Sequence, residues 1–405
     1  MKTSRLKARV AKWTALVALF VVGASAVVTG GSSPVGADPQ FVNAFVGVGS
    51  DTTQDVMNAQ AGFANGANYT PMQSTSVTGY KQVASFDAKL PGSSDNCIAP
   101  KLKSPTIYRS FGSSEGRRAL SRAIDGGVYG PVAQCGGSKP VAGLVDFARS
   151  SAGPASGDTG TALTYIPFAR DALSFAYYAN GVANPVTSLT RAQLTSLFTT
   201  GPQVIGGVNI IPCGIQLGSG TYSFWNTVTT ATAGQEAAAT ATCNAATITP
   251  TGDGRIEENN SGALKLKGDA QVGNQVIVGF SAANFIAQSN GVGSLTIAPG
   301  VTVGAISNNG SGTDLALPYS GVAPNLAARA TFYNDSVFGR NVYNVFDTAR
   351  VTGFGNNDIK SMFVGPTSSL CSGPAQTATV TTFGFLTAAN CGSTTLTGSL
   401  ITGIQ

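Results

Sequence analysis

The chain of 405 residues carries 24 basic and 19 acidic side chains, 51 glycines, six cysteines and no histidine. Charged residues make up 11% against a usual ~25%, while 42% are apolar, so the chain is no disordered polyampholyte and has the material for sizeable cores. With no imidazole, Ser-His-Asp and Cys-His nucleophile systems, His-ligated zinc and histidine pH switches are all excluded.

Lys2, Arg5, Lys7, Arg9 and Lys12 precede the apolar run Thr14 to Val28, which reads as a secretory signal peptide. Fifteen residues are too few for the ~20 that a spanning helix needs. Val35-Gly36-Ala37 supplies a small-x-small cleavage pattern before Asp38, with Ala24-Ser25-Ala26 as a rival site. Removing residues 1–37 takes away five basic and no acidic residues and leaves 19 of each sign. A neutral mature chain gives no reason to expect a nucleic-acid partner, and the expectation is a secreted, extracellular monomer with no membrane span once the leader is gone. The even set Cys97, Cys135, Cys213, Cys243, Cys371 and Cys391 contains no C-x-x-C pair and reads as three disulfides. Six cysteines allow 15 connectivities; sequential pairing is favoured, because neighbours along the chain enclose short loops.

Taken in chain order, a strand from Phe41 to Val48 leads to a helix from about Thr52, and a strand Thr106–Ser110 leads to a helix through Arg117–Ile124. Strands Leu163–Phe168 and Asp171–Tyr178 follow, then a helix Arg191–Phe198 capped by Thr190 and a helix Thr221–Thr230. Residues Thr227 to Thr251 read as a disulfide-tied excursion, with further strands at Gln275–Phe280 and Val301–Ile306. This alternation predicts an α/β fold with a mainly parallel sheet, and the length favours two lobes.

A strand, a turn of Gly, Ser, Thr or Asp, and a helix recur three times, at Gly47–Thr53, Phe111–Gly116 and Leu217–Thr221. Each turn presents backbone N–H groups at a helix N-terminus, where roughly half a positive charge gathers, and hydroxyls add donors. An anion is held there without surplus basic residues. Singly, such turns are ordinary N-caps; three in one chain point to a site.

The residues at these turns are similar to those of the phosphate-binding proteins of bacterial ABC importers, which have the type II periplasmic-binding fold. Phe45-Val46-Gly47-Val48-Gly49, Tyr108 through Gly116, and Asp146-Phe147-Ala148-Arg149-Ser150 resemble the family's segments in order. So do Tyr165-Ile166-Pro167-Phe168, Leu189 to Leu194 with Leu197-Phe198, and Ile277 to Ser281, and Gly218-Ser219-Gly220-Thr221 matches most specifically. The resemblance implies a divergent secreted member with two αβ lobes joined by two inter-lobe crossovers. Lobe one would be 38–172 and 288–405, and lobe two 173–287. It further implies capture of phosphate or a similar oxyanion between the lobes, an ABC importer as partner, no cofactor, no metal and no catalysis. Ser113, Ser219, Gly220 and Thr221 fall on liganding positions, and Asp51, Thr52, Arg149 and Ser151 complete the expected ligand-binding set.

Two positions depart from the family pattern. Ser151 stands where an Asp accepts the proton of the bound ion, and Ile215 stands where an Arg is expected three residues before Gly218. Asp51 is the expected replacement acceptor and Arg149 or Arg170 the cation, Arg149 being the one taken into the site, since an Arg fork pairs two oxygens at once. A plainer reading pairs Arg149 and Arg170 with Asp146 or Asp171. The G-x-S-x-G run around Ser114 has no recognisable base, and the Asp253 loop lacks the flanking carboxylates of a calcium site. Glu257 and Glu258, adjacent on an expected strand, read as solvated surface. The alternative function is an extracellular surface or matrix protein that uses the binding fold as a scaffold with no anion ligand.

Overall fold

The computed structural model describes residues 38–39, 44–75, 81–89, 95–245 and 253–403; the leader and both cleavage sites in 1–37 lie outside them, as do Phe41–Asn43 and the end of the Ala/Thr-rich excursion. In chain order, the elements that frame the site are β1 (Ala44–Gly49), α1 (Gln54–Gln60), β2 (Gln82–Ser85), α2 (Ser113–Asp125), β3 (Phe147–Ser150) and β4 (Leu163–Ala179). Then come α3 (Arg191–Thr200), β5 (Gln203–Ile205), β6 (Val208–Pro212), α4 (Gly220–Thr229), α5 (Ser261–Asp269), β7 (Gln275–Ser281), α6 (Ala282–Ser289) and β8 (Gly339–Asp347).

Among the described residues these strands form one large sheet, ordered β5-β6-β7-β4-β8-β3-β1-β2. The fold is α/β, as the alternation of elements predicts, but the sheet is mixed rather than mainly parallel. Pairs β1–β2, β1–β3 and β6–β7 are parallel, and each is bridged by a helical crossover as parallel pairing requires. Strand β4 is antiparallel to both β7 and β8, and β8 is antiparallel to β3. The two strands expected at Leu163–Phe168 and Asp171–Tyr178 are one continuous β4, because β8 pairs straight across the junction at Ala169↔Val342, Arg170↔Asn341 and Asp171↔Arg340. The irregularity falls between Pro167 and Ala169, where proline has no N–H to give the ladder. Since β8 lies between β3 and β4, the N- and C-terminal parts of the chain share one sheet.

Strand alternation sorts the apolar side chains into separate cores. Phe45, Phe147, Val342 and Phe346 point into one cluster, while Val46, Val48, Ala148 and Val345 point into another on the opposite face. A third cluster is built from Ala172 to Tyr177 of β4, with Leu194, Ile210, Trp225, Ile277 and Phe280. Val301, Ile306, Leu326 and Phe338 also pack into this third core. Helix α3 begins at Thr190, whose side chain accepts from Gln193 N while the Gln193 side chain reaches back to the cap, a complete capping box.

The three disulfides are Cys97–Cys135, Cys213–Cys243 and Cys371–Cys391, the sequential pairs. No helix among the described residues is long and apolar enough to cross a membrane.

Candidate functional site

The three glycine-rich turns come together. Gly49 ends β1 at a φ of 113°, a conformation that L side chains rarely adopt. A Cβ on Gly116 of α2 would lie 2.6 Å from the Gly49 Cα, so only glycine lets helix and strand meet here. The N-terminal turns of α2 and α4 touch through Ser114 N donating to Gly218 O at 2.9 Å. Ser113 and Ser151 are joined Oγ to Oγ at 3.2 Å, and Ser151 N donates to Ser113 Oγ at 3.0 Å. Gly220 sits against both: a Cβ there would be 2.5 Å from Ser151 Oγ and 2.6 Å from Ser113 Oγ.

At the meeting point stands a carboxylate that the sequence reading placed on the surface. Glu258 is 1% exposed. Its Oε1 accepts from Thr52 N at 2.8 Å and from Thr52 Oγ1; its Oε2 accepts from Ser219 Oγ and, at 3.4 Å, from Thr221 N. Thr52 and Thr221 hydroxyls lie 3.2 Å apart. Ser219 caps α4, its Oγ also accepting from Thr221 N and Tyr222 N. The turn before α1 and the start of α4 thus form a cradle of two backbone N–H groups and two hydroxyls closed on one oxyanion, the chain's own.

Glu258 is brought there by a loop, not a strand, and adjacent loop residues need not point opposite ways. Ile256 N donates to Gly214 O at 2.8 Å and Gln216 N to Ile256 O at 2.9 Å, which lays residues 253–258 beside the turn before α4. Arg255 fixes the loop through a two-pronged bond to Glu236, at 2.9 and 2.8 Å, and a third bond to Ile215 O. Glu257 is buried too and pairs with Lys89 at 2.7 Å.

The cation at the cradle is Arg340 of β8, not Arg149. Arg340 Nη2 donates to Thr221 Oγ1 at 2.8 Å and Thr52 Oγ1 at 3.4 Å, and Nε and Nη2 grip Asp171 at 3.1 and 2.8 Å. Both residues are buried, and Arg340 Nη1 has no hydrogen-bond partner among the described residues. Arg149 instead lies beneath the β1 turn, donating to Gly47 O, Gly49 O, Ser50 O and Ser85 Oγ at 2.8–3.4 Å. Burial lowers its pKa to about 10, against the pull of Asp87, Asp51 and Asp55. Its role is to hold the turn from below. Arg170 does not pair with Asp171; it donates to Tyr333 O and Asn341 Oδ1.

Asp51 is buried with its Oδ2 accepting from Gln216 Nε2 at 2.6 Å. Burial first, then the neighbouring Glu258 and Glu257 carboxylates, hold its carboxyl well above the ordinary range. Ile215, in the place of the expected Arg, belongs to the third apolar core. Ser114 Oγ accepts from Arg117, and no base is hydrogen-bonded to it among the described residues. No metal-holding group of three or more Asp, Glu or Cys occurs among the described residues.

A cavity of about 420 Å³ lies beside the cradle, lined by Arg340, which bonds Thr221 and Thr52, and by Ser151, which lies against Gly220. Arg117, Phe224, Asn341 and Tyr343 complete its principal walls, and no carboxylate lines it.

No family model matches the chain, and no curated protein matches it. Among solved structures it is similar to a putative phosphate ABC transporter substrate-binding protein with bound phosphate from Clostridium perfringens, at 13% identity over 85% of this chain and 100% of that one, with a TM-score of 0.42. An ABC-type phosphate transport receptor from Vibrio cholerae aligns at 14% identity over 84% and 99%, TM-score 0.43. A phosphate-binding protein from Stenotrophomonas maltophilia aligns at 12% identity over 86% and 92%, TM-score 0.39.

Proposed function

We propose that this is an extracellular solute-binding protein, without catalysis of its own, that captures phosphate or a related oxyanion on the cradle of Thr52, Ser219 and Thr221. The observation that carries the reading is the cradle itself: two N–H groups and two hydroxyls converge on one carboxylate beneath a buried arginine that keeps a free donor. Donors so placed favour any compact oxyanion, and their cost of orientation is met by the fold. Capture is then an exchange. The incoming ion takes the donors that Glu258 holds, and the displaced carboxylate, with Asp51 beside it, accepts the proton of a hydrogen phosphate. Arg340 supplies the positive charge that Ile215 does not. On this reading lobe one is 38–172 with 288–405 and lobe two is 173–287; the packing of Val301, Ile306, Leu326 and Phe338 on the third core favours moving that stretch to the inserted lobe. An ABC importer is the proposed recipient.

A second reading has an observation of its own. Glu258 already satisfies the cradle, so a scaffold protein that never binds an ion would look the same here. Thermal-shift and calorimetric titration of phosphate, sulfate and arsenate decide between them, with Ser219→Asp as control. A fixed charge ~4 Å from the ion costs roughly 4 kcal/mol at an effective dielectric of 20 and should abolish binding. No response to any anion, or an unchanged response in the variant, leaves the scaffold reading standing.

A further inference from the structure

We infer that the ligand is an organic phosphate, a monoester whose phosphate group takes the cradle and whose ester substituent lies in the adjoining cavity. The inference rests on the oxyanion reading above and extends it. A bare oxyanion has five heavy atoms and needs only the cradle, yet Arg340, which bonds the cradle's Thr221 and Thr52, also lines a cavity of about 420 Å³. That is room for roughly fourteen waters at ~30 Å³ each, and it falls within the ~300–1,000 Å³ of ligand pockets.

The walls have the chemistry of a small, uncharged or anionic body. Phe224 lies beneath the Arg340 guanidinium, 5.5 Å from ring centre to carbon, so the aromatic face and the cation form one surface. Tyr343 faces in with Asn341, and Ser151 supplies a hydroxyl. Arg117 has no ion-pair partner among the described residues; its nitrogens donate to Gly153 O, Tyr165 Oη and Ser114 Oγ. The lining holds two arginines and no carboxylate; Arg340 is already paired with Asp171, so Arg117 supplies the positive field, which disfavours cationic substituents. Arg340 bonds the cradle's Thr221 and lines the cavity, and its Nη1 has no hydrogen-bond partner among the described residues.

The test is calorimetric titration of the full mature chain with phenyl phosphate, glycerol 3-phosphate and inorganic phosphate. A monoester should bind tighter than inorganic phosphate by roughly tenfold or more. Ala155→Trp, on an exposed part of the cavity rim, should fill the space and bring that ratio toward one, and Phe224→Ala should lower it for phenyl phosphate above all. Inorganic phosphate binding as tightly as either ester, or a ratio untouched by Ala155→Trp in a chain of unchanged melting temperature, overturns the inference and leaves the oxyanion reading intact. Binding of no anion at all overturns both.

Discussion

Replacing Glu258 by alanine removes the acceptor and leaves Thr52 N, Thr52 Oγ1, Ser219 Oγ and Thr221 N facing each other in a buried site. Hydrogen bonds to a charged group contribute about 1.5–3 kcal/mol each but do not add, and each buried donor left unsatisfied costs about 1–3 kcal/mol, so the loss is about 3–5 kcal/mol in all. For a domain of this size each kcal/mol moves the melting temperature by roughly 2–4 °C, so the variant should melt about 6–20 °C lower. The loop that carries Glu258 stays anchored by Arg255 and Glu236, which confines the damage to the cradle. Phosphate should then restore what the carboxylate supplied: at 100 times the dissociation constant, binding returns ~2.7 kcal/mol, or about 5–11 °C. Differential scanning fluorimetry of both chains against phosphate concentration reads this directly. The variant should respond more strongly than wild type, because the ion no longer competes with an internal carboxylate. A variant as stable as wild type would show that Glu258 does not hold the cradle together, and a destabilised one deaf to phosphate would show that the cradle does not accept a free anion.

Three further outcomes follow from buried groups. Burial raises the Asp55 carboxyl to about 6, against the pull of its Ser294 N–H bond, so the folded state keeps a proton that the unfolded chain releases near 4; stability present below that is lost as pH rises through 6, by about 3 kcal/mol, and Asp55→Asn should flatten a melting-temperature profile between pH 4 and 8. Gly220→Ala would set a Cβ 2.5 Å from Ser151 Oγ, and should cost about 1–3 kcal/mol and abolish any anion-induced thermal shift. Opening Cys213–Cys243 by the double serine substitution releases a 30-residue loop worth roughly 3–4 kcal/mol, seen as a melting temperature about 6–16 °C lower.

The local devices were legible in the sequence. Gly47–Thr53, Phe111–Gly116 and Leu217–Thr221 each announce a strand-turn-helix, and the structure does bring Thr52, Ser113, Ser151, Ser219, Gly220 and Thr221 into one place. The charged members were not, because each arrives from far along the chain. Glu258 is delivered by a loop whose path depends on Arg255 finding Glu236. Arg340 did leave a trace: it stands in phase with Val342, Asn344 and Phe346 on β8, all buried, so strand alternation puts a charge on a core face where only a partner such as Asp171 makes it tolerable. Arg149 shows the reverse. It lies beside the right turn, but its donors are spent on carbonyls of that turn. The sheet's mixed character was hidden because Ala169-Arg170-Asp171 reads as a break in two strands, and only the cross-pairing of β8 joins them.

The central claim, that a free oxyanion displaces Glu258 from the cradle, is tested most directly by crystallography with arsenate, whose anomalous scattering marks the ion without ambiguity. The account predicts one peak within hydrogen-bond distance of Thr52 N, Ser219 Oγ and Thr221 N, beneath Arg340, with the Glu258 carboxylate moved aside. A peak elsewhere, or a well-ordered Glu258 still holding all of those donors at saturating arsenate, would contradict it.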